Sequence, residues 1–202
     1  WPEYVEAKEI IDSQKYGKVM AATFHRLSLT PTWSWDNCFL DGKRSGGAML
    51  DLHIHDTDYV QYVFGMPKAV FSQGVIGPSQ DYDHCVTQYL YDNESVITAE
   101  GGWIMSPGFG FEMSFKIMLE EATLIYSSAQ EATFRIYPKD GEMVKPDIPE
   151  GDGYSFEIKH FVEHISGKNV PSVITPEQSA DSVKIIEAEK ESIRTMEKSS
   201  IS

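Results

Sequence analysis

The run FEMSFKIML at 111–119 sets Phe111, Met113, Phe115, Ile117 and Leu119 against Glu112, Ser114 and Lys116. A period of two marks a strand with one buried and one more exposed face. KAVFSQGVI, HCVTQYLY, SVITAEGGWIM, ATLIYSS and ATFRIYP surround it with similar β-compatible content. Turn signals such as Tyr91-Asp-Asn-Glu94 and Lys139-Asp-Gly141 join neighbours closely. Strands so joined pair mainly antiparallel, because a parallel crossover needs a much longer connection.

Helices flank this run. WPEYVEAKEIIDSQK opens the chain with Pro2 in a tolerated first-turn position, and Tyr4, Val5, Ala7, Ile10 and Ile11 give it an apolar face. KVMAATFHRLSL at 18–29 reads as one more strand, stopped by Pro31. After a Pro/Glu/Gly/Asp-rich loop at 146–153 comes a helix over about 154–166. Thr175-Pro-Glu-Gln178 is a capping box that starts a last helix, with Val183, Ile186 and Ile193 on its apolar side. The polar tail beyond Lys198 is expected to fray.

The expected architecture is therefore α+β: a large, mostly antiparallel sheet with helices packed on one face. The 202 residues suffice for one domain. Within it we distinguish an entering helix at 1–16, a sheet region at 18–166 that contains a helix at 46–64, and a C-terminal helix at 175–197. Because the chain opens on Trp1, in what reads as mid-helix, further sequence is expected to precede it.

Seventeen basic against 31 acidic residues give a net charge of −14, which leaves no basic surface for nucleic acid. No apolar run reaches the ~20 residues of a membrane helix. Cys38 and Cys85 stand far apart, as in a reducing, cytoplasmic protein.

The chemistry concentrates in GGAMLDLHIHDTDYVQYVFG, residues 46–65. As a strand, it would put Asp51, His53 and His55 on one face, the geometry of a metal-dependent hydrolase. Over the wider window, however, Met49, Leu52, Tyr59, Val60, Val63 and Phe64 recur at three- and four-residue intervals. Ser45 can cap the start, and Gly65 before Pro67 is a stop signal. On a helix, Asp51, His55, Asp58 and Tyr62 share one stripe and His53 points away. The helix thus unites Asp51 with His55 and separates the two histidines, so no metal is expected. His160-Phe-Val-Glu-His164 has the spacing of an inverted zinc-protease signature, but no third ligand is evident. Its histidines read as ordinary helix residues.

Placed on a helix, Ser45-Gly-Gly-Ala-Met-Leu-Asp51-Leu-His53-Ile-His55-Asp-Thr-Asp58 resembles the GGGxLxDxGxHxxD motif of the Gfo/Idh/MocA oxidoreductases. That family includes glucose–fructose oxidoreductase and inositol dehydrogenase. WPEYVEAKEIIDSQKYGKV and FEIKHFVEHISGKNVPSVITPEQSADSVKIIEAEKESI resemble the flanks of its C-terminal domain. Two departures from the motif matter: Ser45 replaces the first glycine and His53 replaces a later one. The family's nucleotide-binding domain, with G-x-G-x-x-G and Glu-Lys-Pro, has no counterpart here. Gly108-Phe-Gly110 holds only two of the three glycines and reads as a turn.

The resemblance implies the substrate-side half of an NAD- or NADP-dependent dehydrogenase acting on a sugar, cyclitol or related polyol hydroxyl. It implies His55 as catalytic base, and Asp51 as a group that orients His55 or binds a neighbouring hydroxyl. Trp35 and Asp36 are candidate sugar contacts or rim packing, and His53 either contacts ligand or packs. Asp58 reads as a structural hydrogen-bonding group, while Arg26 and Arg44 default to the surface or a sheet edge. A homo-oligomer formed through the open sheet face is expected. The alternative function is a non-catalytic oligomerisation and ligand-binding module.

Overall fold

In the computed structural model, which describes residues 1–131 and 133–201, the period-two segments become strands of one sheet. They are β1 (Val19–Leu29), β2 (Ala69–Ile76), β3 (Tyr82–Leu90), β4 (Val96–Met105), β5 (Phe111–Leu119), β6 (Ala122–Ser127), β7 (Phe134–Pro138) and β8 (Ser199–Ser200). Ala132, at the head of the expected ATFRIYP strand, and Ser202 lie outside the described residues. The strand order is β7-β6-β5-β1-β4-β3-β2-β8. Every pair is antiparallel except β1 with β4, whose connection carries the motif helix and two further strands.

The helices are α1 (Pro2–Ser13), the one-turn α2 (Gly42–Ser45), α3 (Ile54–Phe64), α4 (Gly153–Ile165) and α5 (Pro176–Thr195). The capping box of α5 forms as expected: Thr175 accepts from the Gln178 amide, and the Gln178 side chain accepts from the Thr175 amide. Two expectations change. The tail does not simply fray, because Ser199 and Ser200 pair with Val70 and Ala69 on the β2 edge. Backbone bonds make that contact, and side-chain patterning carries no sign of them. The motif helix is also not continuous from 46, for reasons given below.

The core lies between the sheet and α1, α3 and α5. Strand parity decides which residues enter it: Ala22, Phe24 and Arg26 from β1, Ile97 and Ala99 from β4, and Met113, Phe115, Ile117 and Leu119 from β5. Aromatic rings knit the helices to it. Tyr4 of α1 meets Tyr59 of α3 at 4.7 Å and Phe115 at 5.1 Å, edge to face. The Tyr59 hydroxyl donates to the Tyr4 carbonyl at 2.7 Å. Helix α4 differs, since none of its residues is buried and Tyr154, Ile158, Phe161 and Ile165 are exposed.

On β4, the helix-facing residues shrink from Ile97 through Ala99 to Gly101. A Cβ on Gly101 would stand 2.7 Å from the His53 Cβ and Nδ1. The missing side chain lets the start of the motif helix sit directly on the strand. Gly101→Ala should therefore cost about 1–3 kcal/mol by overpacking, measured as a lowered urea midpoint. Gly108 and Gly110, the other glycines of note, lie in the β4–β5 turn with positive φ and do not open a helix.

Candidate active site

The motif helix is assembled in three pieces. Asp41 caps α2 by accepting from the Lys43 amide at 3.1 Å, and Gly46 ends it in the left-handed region. Gly47 stays left-handed as well, at φ 69°, and a Cβ there would lie 2.8 Å from the Tyr82 carbonyl oxygen. Ser45 accepts from the Gly47 amide at 3.2 Å, so it caps this corner rather than a helix beginning at 46. Residues Met49–His53 then form a π-turn in which the Ile54 amide reaches back to the Met49 carbonyl. Regular α-helix begins at Ile54. Such π-turns inside helices are rare and collect at functional sites.

The π-turn divides the motif's polar groups by environment. His55 is exposed and Asp51 half-buried, each within reach of the other's charge. Desolvation leads in lowering the His55 pKa below its ordinary 6.5, followed by the Arg26 guanidinium; Asp56, Asp51 and Asp58 oppose them. Desolvation raises the pKa of Asp51, and His55 partly offsets this. The outcome is an imidazole that is neutral at neutral pH, one turn from a carboxylate. Such a pair can accept a proton from a hydroxyl and hold a second hydroxyl beside it.

His53 faces the opposite way and has no exposed surface. Its Nε2 lies 3.1 Å from Glu189 Oε2 of α5 and 3.5 Å from the Tyr89 hydroxyl of β3. Burial works against a charge on His53, but Cys85 and Glu189 outweigh it and hold the pKa well above the ordinary value. Burial also pushes the Cys85 thiol up, with His53 opposing it. Among the described residues, the grouping of three potential metal ligands is His53, Cys85 and Glu189, which leaves out His55. A metal clasp made by His53 with His55 is thereby replaced by two imidazoles in separate environments.

The remaining candidates disperse. Trp35 is 82 % exposed on a short 3-10 segment, Trp35–Leu40. Asp36 on the same segment pairs with Arg44 of α2 at 3.2 Å. Asp58 accepts from Ser182 of α5 at 2.7 Å, which ties the two helices. Rings of His160 and His164 stack on α4, and Glu163 pairs with Lys168 rather than with either.

Arg26 overturns its default placement at the surface. It is buried and grips Asp56 with two bonds, Nε to Oδ2 at 3.1 Å and Nη2 to Oδ1 at 3.2 Å. Glu189 and Cys85 were also absent from the sequence-derived site. Their signal was present: Arg26 has the parity of Phe24 on β1, and Glu189 lies one turn from the buried Ile186 on α5. A charge on a buried stripe requires a partner.

This sheet, with the motif helix laid across it, forms one α+β domain. Residues 4–125, more than half of the chain, match the model of the GFO/IDH/MocA C-terminal domain, and the chain belongs to that family. No curated protein sequence matches it. Among solved structures, the NAD binding oxidoreductase from Klebsiella pneumoniae is 14 % identical with a TM-score of 0.82, covering 100 % of this chain and 64 % of that one. Levoglucosan dehydrogenase in complex with NADH and levoglucosan is 18 % identical with a TM-score of 0.81, covering 99 % of this chain and 63 % of that one. The UDP-N-acetylglucosamine 3-dehydrogenase GnnA from Acidithiobacillus ferrooxidans is 16 % identical with a TM-score of 0.72, covering 96 % of this chain and 60 % of that one. The chain thus spans under two thirds of the length of these structures. Cys38 and Cys85 are free thiols, and no helix of the described residues is long and apolar enough to cross a membrane.

Proposed function

We propose that this chain is the substrate-side half of an NAD- or NADP-dependent dehydrogenase that oxidises a hydroxyl of a sugar, cyclitol or related polyol. The observation that carries the reading is the pairing of exposed His55, its pKa lowered, with Asp51 one turn earlier. The donor set fits the cofactor in one respect: a neutral imidazole on an open face can take the proton that an alcohol must lose as it is oxidised. Bound nicotinamide supplies the hydride acceptor. His55 removes the hydroxyl proton at its unprotonated ring nitrogen. Asp51 accepts a hydrogen bond from a neighbouring hydroxyl or holds the imidazole in orientation. Trp35 and Asp36, the further sugar contacts that the resemblance suggests, stand on a separate exposed segment where Asp36 pairs with Arg44.

Support for a sugar-like substrate comes from the relatives, two of which are named for their action on levoglucosan and on UDP-N-acetylglucosamine. The test uses the longest reading frame that contains this chain. It should reduce NAD or NADP with at least one member of a panel of levoglucosan, hexoses and inositols. Failure with every member and both cofactors, in protein shown to bind NADH, would overturn the reading.

Assembly as a homo-oligomer through the open sheet face belongs to the same proposal. Phe71, Val75, Val86 and Val96 present exposed apolar side chains there, flanking the His84–Glu100–His25 row. Val86→Lys should shift the mass in sedimentation velocity to that of a monomer. An unchanged oligomer would place the interface elsewhere.

A further inference from the structure

We propose that His53 and Glu189 are positioning residues, whose buried pair fixes the π-turn so that Asp51 and His55 emerge together on its outer side. The proposal rests on the reading of Asp51 and His55 as the working pair. His53 stands midway between them in sequence, so any displacement of its anchor moves both.

The anchor is built from three elements. Glu189 comes from α5, Tyr89 and Cys85 from β3, and His53 from the π-turn. Glu189 Oε2 faces His53 Nε2 at 3.1 Å. The other oxygen, Oε1, accepts from Thr57 at 3.3 Å, and Thr57 bonds the Tyr89 hydroxyl at 2.9 Å. Tyr89 returns to His53 Nε2 at 3.5 Å, closing a ring of four side chains, all buried. The next residue of α5, Lys190, donates to the Gly46 carbonyl at 3.1 Å and to Asp81 at 3.2 Å. Helix α5 therefore grips the motif at its glycine corner and again at its π-turn.

Such an arrangement suits geometry better than stability. A buried ion pair is commonly matched or bettered by apolar residues of the same volume, so it adds little net stability. What it supplies is position: the 3.1 Å approach of Nε2 to Glu189 Oε2, an oxygen with no hydrogen-bond partner, holds His53 against α5. A π-turn is an uncommon conformation that persists only where its surroundings over-determine it. Placement to within about an ångström is also what proton abstraction demands.

Glu189 is not among the groups that act directly on the His55 titration, which are Arg26, Asp56, Asp51 and Asp58. Glu189 meets His53 and not His55, so a change at 189 is expected to act on His55 mainly through the position of the turn. The experiment is an NMR titration of the histidine ring resonances in this chain. In Glu189→Leu, His55 should titrate about 0.5 unit or more closer to the ordinary value, and in Glu189→Gln, which keeps a hydrogen-bond acceptor at the same reach, within about 0.2 unit of the parent. Glu189→Asp guards against misfolding of the leucine variant. It keeps the charge but withdraws the carboxylate by one methylene, and it should move His55 in the same direction as leucine.

Unmoved His55 titration in folded Glu189→Leu or Glu189→Asp would overturn the proposal. Stoichiometric zinc in the purified chain, lost in Cys85→Ser, would do so as well, since the ring would then be a metal site. A fully active His55→Ala enzyme would instead remove the catalytic reading and leave the titration result standing, so the two failures are distinct.

Discussion

His55→Ala in the enzyme that contains this chain should lower kcat/KM by about 10²–10⁴-fold, the usual contribution of a positioned general base. Most of that loss should fall in kcat, because the proton leaves the hydroxyl during the chemical step and not on binding. Asp51→Asn should act differently. It keeps a hydrogen-bonding group of the same size while discarding the carboxylate charge, so both KM and kcat should change. The assay is steady-state NAD(P)H formation on the best substrate of the panel. If His55→Ala reduces kcat/KM less than about fivefold, His55 is not the base.

Arg26→Met should destabilise the domain by about 3–5 kcal/mol, a large share of the roughly 5–15 kcal/mol that holds a domain folded. The cause lies in what stays behind. Asp56 has no exposed surface, and its two oxygens both face the guanidinium. Without Arg26 the carboxylate either remains charged and unpaired or takes up a proton, and each outcome costs stability. The double variant Arg26→Met with Asp56→Leu should recover most of the loss, because it removes both charges together. Urea denaturation followed by circular dichroism measures both. A single variant that loses less than about 1 kcal/mol would mean that the pair is solvated. The same pair underlies the site, since Asp56 follows His55 directly and Arg26 helps lower the His55 pKa.

The sheet was legible because alternation is local. FEMSFKIML could place Met113, Phe115, Ile117 and Leu119 in the core from parity alone, and all four are buried there. Phe111 broke the pattern, being 49 % exposed where the strand leaves the cover of the helices. Capping was equally legible, since Thr175 and Gln178 lie within one turn of each other. The separation of His53 from His55 followed from helical spacing, and it holds although the turn that carries them is π. What stayed hidden needed tertiary contact. No local rule marks the Ile54-to-Met49 bond of a π-turn, because it depends on His53 being drawn toward α5. The pairing of Arg26 with Asp56 and of His53 with Glu189 joins residues 30 and 136 positions apart. The existence of a partner could be read from parity, but not which residue it was. The β8 pairing is likewise a backbone contact that side chains do not announce.

The most direct test of the central claim is the pH dependence of kcat/KM in the enzyme that contains this chain. A base must be unprotonated to work, and the His55 pKa lies below the ordinary 6.5. The account predicts that kcat/KM climbs with pH through a single acid limb centred below about 6.5 and then levels off, and that His55→Ala abolishes this limb in the residual activity. The same limb surviving at the same pH in His55→Ala would contradict it and assign the titrating group to another residue.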